Sequence, residues 1–205
     1  MADYKTVGRE ASATIYEKKS EFIGYIAHVK TRRQAAEYLA KIKKKHYDAT
    51  HHCFAYIVKD EKIERQSDDG EPQKTAGMPI LEVIRHSGLE DVIIVVVRYF
   101  GGTLLGTGGL VRAYTGAAQA AVAAADILSY SLCVDISIQA DYSLYDRLAN
   151  LFSTCGAKIL QTEFTDKVFI KGRMISGTQQ KLVDEIKLLT KGRDPDISRE
   201  IYDIF

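Results

Sequence analysis

Val92-Ile-Ile-Val-Val-Val-Arg-Tyr-Phe-Gly-Gly-Thr-Leu-Leu-Gly-Thr-Gly-Gly-Leu-Val-Arg112 joins an apolar run to a cluster of glycines. Residues 92–97 are apolar at every position, which is typical of a central strand that is covered on both faces. Five glycines follow within 101–109, and an alanine-rich helix is expected from about Thr107 to near Ile127. The stretch therefore predicts a buried strand, a glycine loop and a helix that can approach a sheet closely.

The residues before this stretch predict two strands, a helix, a further strand and a second helix. Period-two alternation favours strands, and Thr31 with Gln34 three residues later is a capping box that starts a helix. Pro79 suits the first turn of another helix. The expected elements are a hairpin at 12–29 with its turn near 18–20, a helix at 31–45, a strand at 51–58, a polar loop at 60–75 and a helix at 79–89.

The residues after Leu128 predict a different arrangement, without glycine clusters. The expected order is βαββαβ, which is that of ferredoxin-like folds. We therefore expect an α+β chain with domains at 1–129 and 130–205. The second domain would contain strands at 131–140, 158–164, 167–175 and 196–204, with helices at 143–154 and 176–190.

The composition is that of an ordinary globular protein. The 205 residues include 28 Lys and Arg and 27 Asp and Glu, for a net charge of +1, so any binding electrostatics must be local. The run at 92–97 is far shorter than the roughly 20 residues of a membrane helix, and the N-terminus lacks an apolar signal region. We expect a cytoplasmic protein whose three cysteines, Cys53, Cys133 and Cys155, are reduced, buried thiols.

The glycine loop is the first candidate site. Glycines let an anion approach the backbone, and a helix N-terminus favours negative charge. Two arginines flank the loop, so it could hold a phosphate or carboxylate, although neither the P-loop nor the dinucleotide motif is matched. The alternative, glycines required only by a tight turn and close packing, stays open. The candidate anion-binding residues are Arg98, Gly101, Gly102, Gly106, Gly108, Gly109 and Arg112.

A basic run on the first predicted helix is the second candidate site. With one acid, Glu37, among them, these side chains could bind a nucleic-acid backbone or an acidic protein surface. A solvated helix face with lysines that complement the helix dipole is the alternative. The residues of this basic surface are Lys30, Arg32, Arg33, Lys41, Lys43, Lys44 and Lys45.

The polar loop carries carboxylates, at Ser67-Asp68-Asp69-Gly70-Glu71-Pro72. Adjacent rather than alternating acids do not fit a calcium loop, so we interpret Ser67, Asp68, Asp69 and Glu71 as part of a turn. His51, His52 and Cys53 cannot converge on one ion, because neighbouring strand residues point to opposite faces. We expect no metal site and no cofactor, and no motif identifies catalytic residues.

Four stretches together resemble the IMPACT family, in particular its two-domain bacterial members. The signature runs without a gap from Gly77-Met-Pro-Ile-Leu to Arg98-Tyr-Phe-Gly-Gly and Gly106, and the others are Ser20-Glu-Phe, His51-His-Cys-Phe-Ala-Tyr and Ser67-Asp-Asp-Gly-Glu-Pro. The resemblance implies a first domain like domain two of ribosomal protein S-five, with four strands and two helices on one face. The sequence predicts three helices in this domain where that fold has two. Either the helices at 79–89 and 31–45 form the pair and the alanine-rich helix is additional, or this assignment is wrong.

The resemblance also implies a ferredoxin-like second domain, a pairing similar to the fourth and fifth domains of elongation factor G. Eukaryotic members regulate translation through an additional N-terminal interaction domain, so their partner is not carried over, and the family supplies no catalytic residues. We expect a non-catalytic regulator of translation or stress response that binds RNA, the ribosome or a ribosome-associated protein. The alternatives are a small-molecule phosphate binder or enzyme that uses the glycine loop, and a peptide-binding module at an open sheet edge.

Overall fold

In the computed structural model, which describes residues 4–204, an antiparallel five-stranded sheet has β6 (Val92–Tyr99) at its centre. The strand order is β2-β3-β6-β4-β5. The other strands are β2 (Ala11–Glu17), β3 (Ser20–His28), β4 (His51–Val58) and β5 (Ile63–Ser67), preceded by the short β1 (Tyr4–Val7). The described chain divides into two compact units, 4–128 and 129–204.

Both faces of β6 are covered, as its apolar run predicts. The side chains of Ile94 and Val96 pack in one core with two helices, α2 (Gly77–His86) and α3 (Gly106–Ala123). The neighbouring residues Ile93, Val95 and Val97 point to the opposite face. They pack in a second core with Ala35, Tyr38 and Ile42 of α1 (Arg32–Lys45).

The predicted pairing of helices is wrong. The two helices that share a face are α2 and α3, whereas α1 covers the other face alone. The alanine-rich helix belongs to the fold because small residues let it lie against the sheet. A Cβ atom on Gly24 of β3 would lie only 2.3 Å from the backbone oxygen of Ala117 in α3. The expectation of four strands is also wrong, since the polar loop predicted at 60–75 contains β5.

Local signals at the start of the chain are confirmed. The turn between β2 and β3 contains Lys18 and Lys19, both with positive φ. Thr31 is the N-cap of α1, where its hydroxyl oxygen accepts a hydrogen bond from the Gln34 N–H over 3.2 Å. Gln34 in turn accepts from the Lys30 N–H over 2.6 Å. The capping residues therefore start the helix where the sequence predicts.

The second unit has the predicted ferredoxin-like order. Its antiparallel strands are arranged β8-β9-β7, with β10 and β11 both on the other side of β7. Ser198 bonds to the backbone of Asp135 between β10 and β11, so the last strand is split in two. The elements are β7 (Ile127–Ala140), α4 (Tyr145–Thr154) after a short 3-10 helix, β8 (Lys158–Phe164), β9 (Val168–Ile175), α5 (Gln180–Leu189), β10 (Asp196–Ile197) and β11 (Ile201–Ile204).

The helices over 4–204 include none that is long and apolar enough to cross a membrane. All three cysteines are free thiols. Cys53 and Cys133 are buried, as expected, whereas Cys155 is only half-buried.

Candidate functional site

Arg98 lies at the buried end of β6, where the glycine loop begins. It is only 5% exposed, and its Cζ lies 5.3 Å from the ring centre of Phe22 and 5.4 Å from that of Phe100. Its Nη1 donates to Oε1 of Glu71 over 2.6 Å, and Nη2 is 3.5 Å from Ser20 Oγ. Within the described part of the chain, its Nε has no hydrogen-bond partner. The guanidinium is therefore paired with one carboxylate but retains a donor that is not used.

Glu71 is shared among several elements. The Tyr114 hydroxyl of α3 donates to its Oε1 over 2.7 Å, and Nε2 of His51 lies 3.9 Å from the same oxygen. Burial raises the pKa of Tyr114, which is fully buried, so this hydroxyl remains a donor at neutral pH. Burial likewise raises the pKa of the Cys53 thiol, which donates to the Asp68 carbonyl over 3.0 Å. Cys53 is thus a structural thiol rather than a nucleophile.

A cleft of about 420 Å³ opens above this buried network. Its polar lining includes Arg98, Glu71, His51 and Thr107. Most of its remaining lining is apolar, and Leu104 is 84% exposed and Phe100 46% exposed. The apolar lining residues are Pro72, Phe100, Leu104, Leu105 and Leu110.

The five glycines serve different purposes. A Cβ on Gly101 would lie 2.1 Å from the backbone of Lys19, so close packing requires glycine there, and its N–H donates to Ser20 Oγ over 3.1 Å. Gly102 and Gly106 have φ of +80° and +68°, a conformation that glycine adopts without strain. Gly106 is the first residue of α3, and Gly108 and Gly109 follow in its first turn.

Arg112 does not join Arg98. It is exposed on α3 beside Gly108, and it does not line the cleft. The two guanidiniums that the sequence groups around the glycine loop therefore do not converge.

Asp68 and Asp69 bind backbone N–H groups, and Ser67 ends β5. Oδ1 of Asp68 accepts from the Ala76 and Gly77 N–H groups over 3.0 and 2.8 Å, so it caps the start of α2. Its Oδ2 accepts from the Lys74 N–H over 2.9 Å. No group of three or more His, Cys, Asp or Glu within residues 4–204 is arranged to hold a metal ion.

Asp69 connects this turn to β4 and α1. Its Oδ2 accepts from the His52 N–H over 2.7 Å, and Oδ1 accepts from Lys43 Nζ over 3.2 Å. Burial by itself raises the pKa of Asp69, but these two contacts outweigh it, so the pKa lies below its ordinary value. Asp69 has a φ of 43°, which places the turn at this residue.

All seven residues of the basic surface are exposed. Three of them pair with carboxylates: Arg33 with Glu37, Lys41 with Glu10 and Lys43 with Asp69. Lys45 donates to Tyr25 Oη and lies 4.8 Å from that ring centre. Because α1 and α3 cover opposite faces of the sheet, the basic surface and the glycine loop do not share a face.

Sequence reasoning missed three parts of the site. Tyr114 is counted among the residues of an alanine-rich helix, yet it is the largest residue of its inward face and bonds to Glu71. Ser20 is separated by 78 residues from Arg98. Phe100 and Leu104 lie beside the glycines, but as apolar residues they did not indicate a binding site in the sequence. Their exposure is the property that marks a binding surface, and sequence patterns do not report it.

Comparison with known proteins agrees with this architecture. Residues 18–122 match the family model of the Impact N-terminal domain, and residues 138–193 match a domain of unknown function (DUF1949). A solved structure titled as that of a hypothetical protein aligns with a TM-score of 0.61 and 28% identity, over 96% of this chain and 97% of that one. The likeness therefore extends over both domains.

Two bacterial relatives are similar over most of their length. The IMPACT family member YvyE of Bacillus subtilis is 39% identical over 151 residues, which is 73% of this chain and 70% of that protein. The IMPACT family member YigZ of Escherichia coli is 35% identical over 166 residues, or 78% of this chain and 81% of that protein. The family model that matches 18–122, a range that includes Glu71, Arg98 and the glycine loop, together with these two relatives, shows that the chain belongs to the IMPACT family.

Proposed function

We propose that this protein is a non-catalytic regulator of translation that contacts RNA on the ribosome through the basic surface of α1. The observation that carries the proposal is that seven Lys and Arg side chains are exposed along one helix and its entry. Membership of the IMPACT family supports a role in translation. The proposed role implies a cytoplasmic protein.

The geometry of α1 favours an extended polyanion. Arg33 and Lys44 are three turns apart and therefore lie on the same side of the helix, about 16 Å from each other along its axis. Arg32 and Lys43 flank them on one side, and Lys41 and Lys45 on the other. Such a distribution suits a chain of phosphates better than a single small anion.

The ion pairs on this surface do not oppose the proposal. Arg33 Nε is 3.5 Å from its Glu37 partner, and both side chains are mostly exposed. Exposed pairs of this kind contribute only about 0–1 kcal/mol. Little free energy is therefore lost when one of these side chains leaves its carboxylate and binds an RNA phosphate. The surface also retains an excess of positive charge, because Lys44 and Arg32 lie outside these pairs.

The test measures binding to purified ribosomes and to a single-stranded RNA at several salt concentrations. The variant carries Lys30→Gln, Arg32→Gln and Lys44→Gln, which leave the ion pairs of α1 intact. The matched control carries Lys158→Gln, Lys181→Gln and Lys191→Gln, three exposed lysines of the second unit with the same total charge change.

We expect the wild type and the control to bind with a steep salt dependence. Each phosphate contact contributes a slope of about −0.7 for single strands, so the α1 variant should lose about two units of slope. Equal binding by the variant and the control, or binding that does not respond to salt, would refute the RNA proposal. Salt-insensitive binding to ribosomes, without binding to the single-stranded RNA, would indicate a protein partner instead.

A further inference from the structure

We propose that the cleft beside the glycine loop binds a small apolar molecule through a single carboxylate. This site goes beyond the proposed contact with RNA, because it lies on the α3 side of the sheet and α1 lies on the other. Three features carry it: a buried donor without an acceptor, an uncapped helix start and apolar walls.

The buried donor is the Nε–H of Arg98. The Arg98 side chain is only 6% exposed, lines the cleft and has its Nη1 engaged by Glu71. Within residues 4–204, Nε has no hydrogen-bond partner. A buried, charged donor that lacks an acceptor destabilises the folded protein. A ligand oxygen in the cleft would supply that acceptor.

The start of α3 supplies further donors. Leu105 occupies the N-cap position and makes no side-chain hydrogen bond to the helix, and Thr107 in the first turn lines the cleft. The helix is 18 residues long, so its first N–H groups carry a partial positive charge. A Cβ placed on Gly106 would meet nothing within 4 Å, which leaves this backbone open to a ligand.

The remaining lining selects the ligand class. Glu71 already neutralises Arg98, with Nη1 2.6 Å from Oε1, so a doubly charged phosphate would find no net positive charge on this pair. A singly charged carboxylate requires less positive charge. Phe100 and Leu104 at the mouth, with Leu105 and Leu110, offer contact to an apolar body. A volume of about 420 Å³ is that of a small-molecule site.

Such a carboxylate could belong to a free acid or to the C-terminus of a peptide with an apolar last residue. The probes are therefore 4-phenylbutyrate, its uncharged amide, inorganic phosphate, and a short peptide ending in leucine with either a free or an amidated terminus. Binding is followed by nitrogen–proton NMR, in which the Arg98 Nε–H and the amides of Thr107, Gly108 and Gly109 give separate signals.

We expect 4-phenylbutyrate to shift the Arg98 Nε–H signal together with the amides at the start of α3, and the amide to bind at least tenfold more weakly. Thr107→Glu places a competing carboxylate at the helix start and should weaken binding by a similar factor, whereas Gln119→Glu on the same helix should not. Because both positions are exposed, both variants should fold.

If the peptide with a free terminus binds more tightly than 4-phenylbutyrate, the carboxylate that the cleft binds is that of a chain terminus. If 4-phenylbutyrate binds more tightly, it is that of a free acid. The proposal is overturned if phosphate alone binds, if the amide binds equally well, if Thr107→Glu has no effect, or if none of the probes shifts these signals. Loss of RNA binding by the α1 variant would not affect any of these results.

Discussion

Nη1 of Arg98 lies 2.6 Å from Oε1 of Glu71, and neither side chain is more than 6% exposed. The two residues are 27 positions apart, and Tyr114 joins the same oxygen from α3. A strand end, a turn and a helix are thus held together by one buried carboxylate. The ion pair is buried, and it links two of the stretches that resemble the family, the one that contains Glu71 and the one that contains Arg98.

Replacing one residue of this ion pair should lower the stability of the protein more than expected from replacing both. Arg98→Met leaves the Glu71 charge buried, and Glu71→Met leaves the Arg98 charge buried, so each should lower the free energy of unfolding by about 3–5 kcal/mol. The double variant should lose less than the sum, because neither charge is left unpaired. Urea unfolding of the four proteins measures the coupling. Strictly additive losses would show that the pair does not act as a unit.

Asp68 should be important for the start of α2. Asp68→Ala removes the acceptor for the N–H groups of Lys74, Ala76 and Gly77, and we expect a loss of about 2 kcal/mol. Asp68→Asn keeps one acceptor oxygen and should lose less. The exposed Asp60 provides a control, since Asp60→Ala should change stability by less than about 0.5 kcal/mol. Equal effects of the two alanine variants in urea unfolding would contradict the capping role.

Gly24 should tolerate no side chain. Gly24→Ala would force a Cβ to within 2.3 Å of the Ala117 carbonyl oxygen, and separating β3 from α3 should cost about 1–3 kcal/mol. Gly108→Ala places the same methyl group in a helix, where only Arg112 is near, at 3.7 Å. It should stabilise the protein by up to about 1 kcal/mol. Thermal unfolding of both variants should show shifts in opposite directions; shifts of the same sign would be inconsistent with this packing.

Asp69 should make stability depend on pH in the acid range. Its pKa is lower in the folded protein than the unfolded value of about 3.9. A depressed carboxyl pKa contributes stability above the unfolded value, and that contribution is lost as the pH falls through the folded pKa. Asp69→Asn tolerates the same positive φ and removes the charge.

The wild type should therefore be more stable than Asp69→Asn at pH 7, and the difference should shrink below about pH 4. Urea midpoints measured at pH 7, 5 and 3 would check this expectation. A difference that stays constant over this range would mean that the contacts of Lys43 and the His52 N–H do not depend on the carboxylate charge.

Several features of the fold follow from local pattern. The apolar run of β6 requires cover on both faces, Thr31 with Gln34 starts α1, and the period of the apolar residues after Leu128 predicts the βαββαβ order. Each of these signals depends on neighbours within one element or on the order of elements along the chain. They are therefore readable from the amino acids alone.

The sequence by itself determined the buried strand, the start of α1 and the βαββαβ order of the second domain, because local periodicity and capping specify them, whereas the class of the first domain followed from the family resemblance. Only the tertiary structure decided that α2 pairs with α3, that β5 joins the sheet edge, and that Arg98 meets Glu71 and Tyr114 while Arg112 faces solvent. Periodicity reports which face of an element is apolar, but not which distant element covers it. Such long-range contacts depend on how whole faces pack, and that choice is made only when the chain is folded.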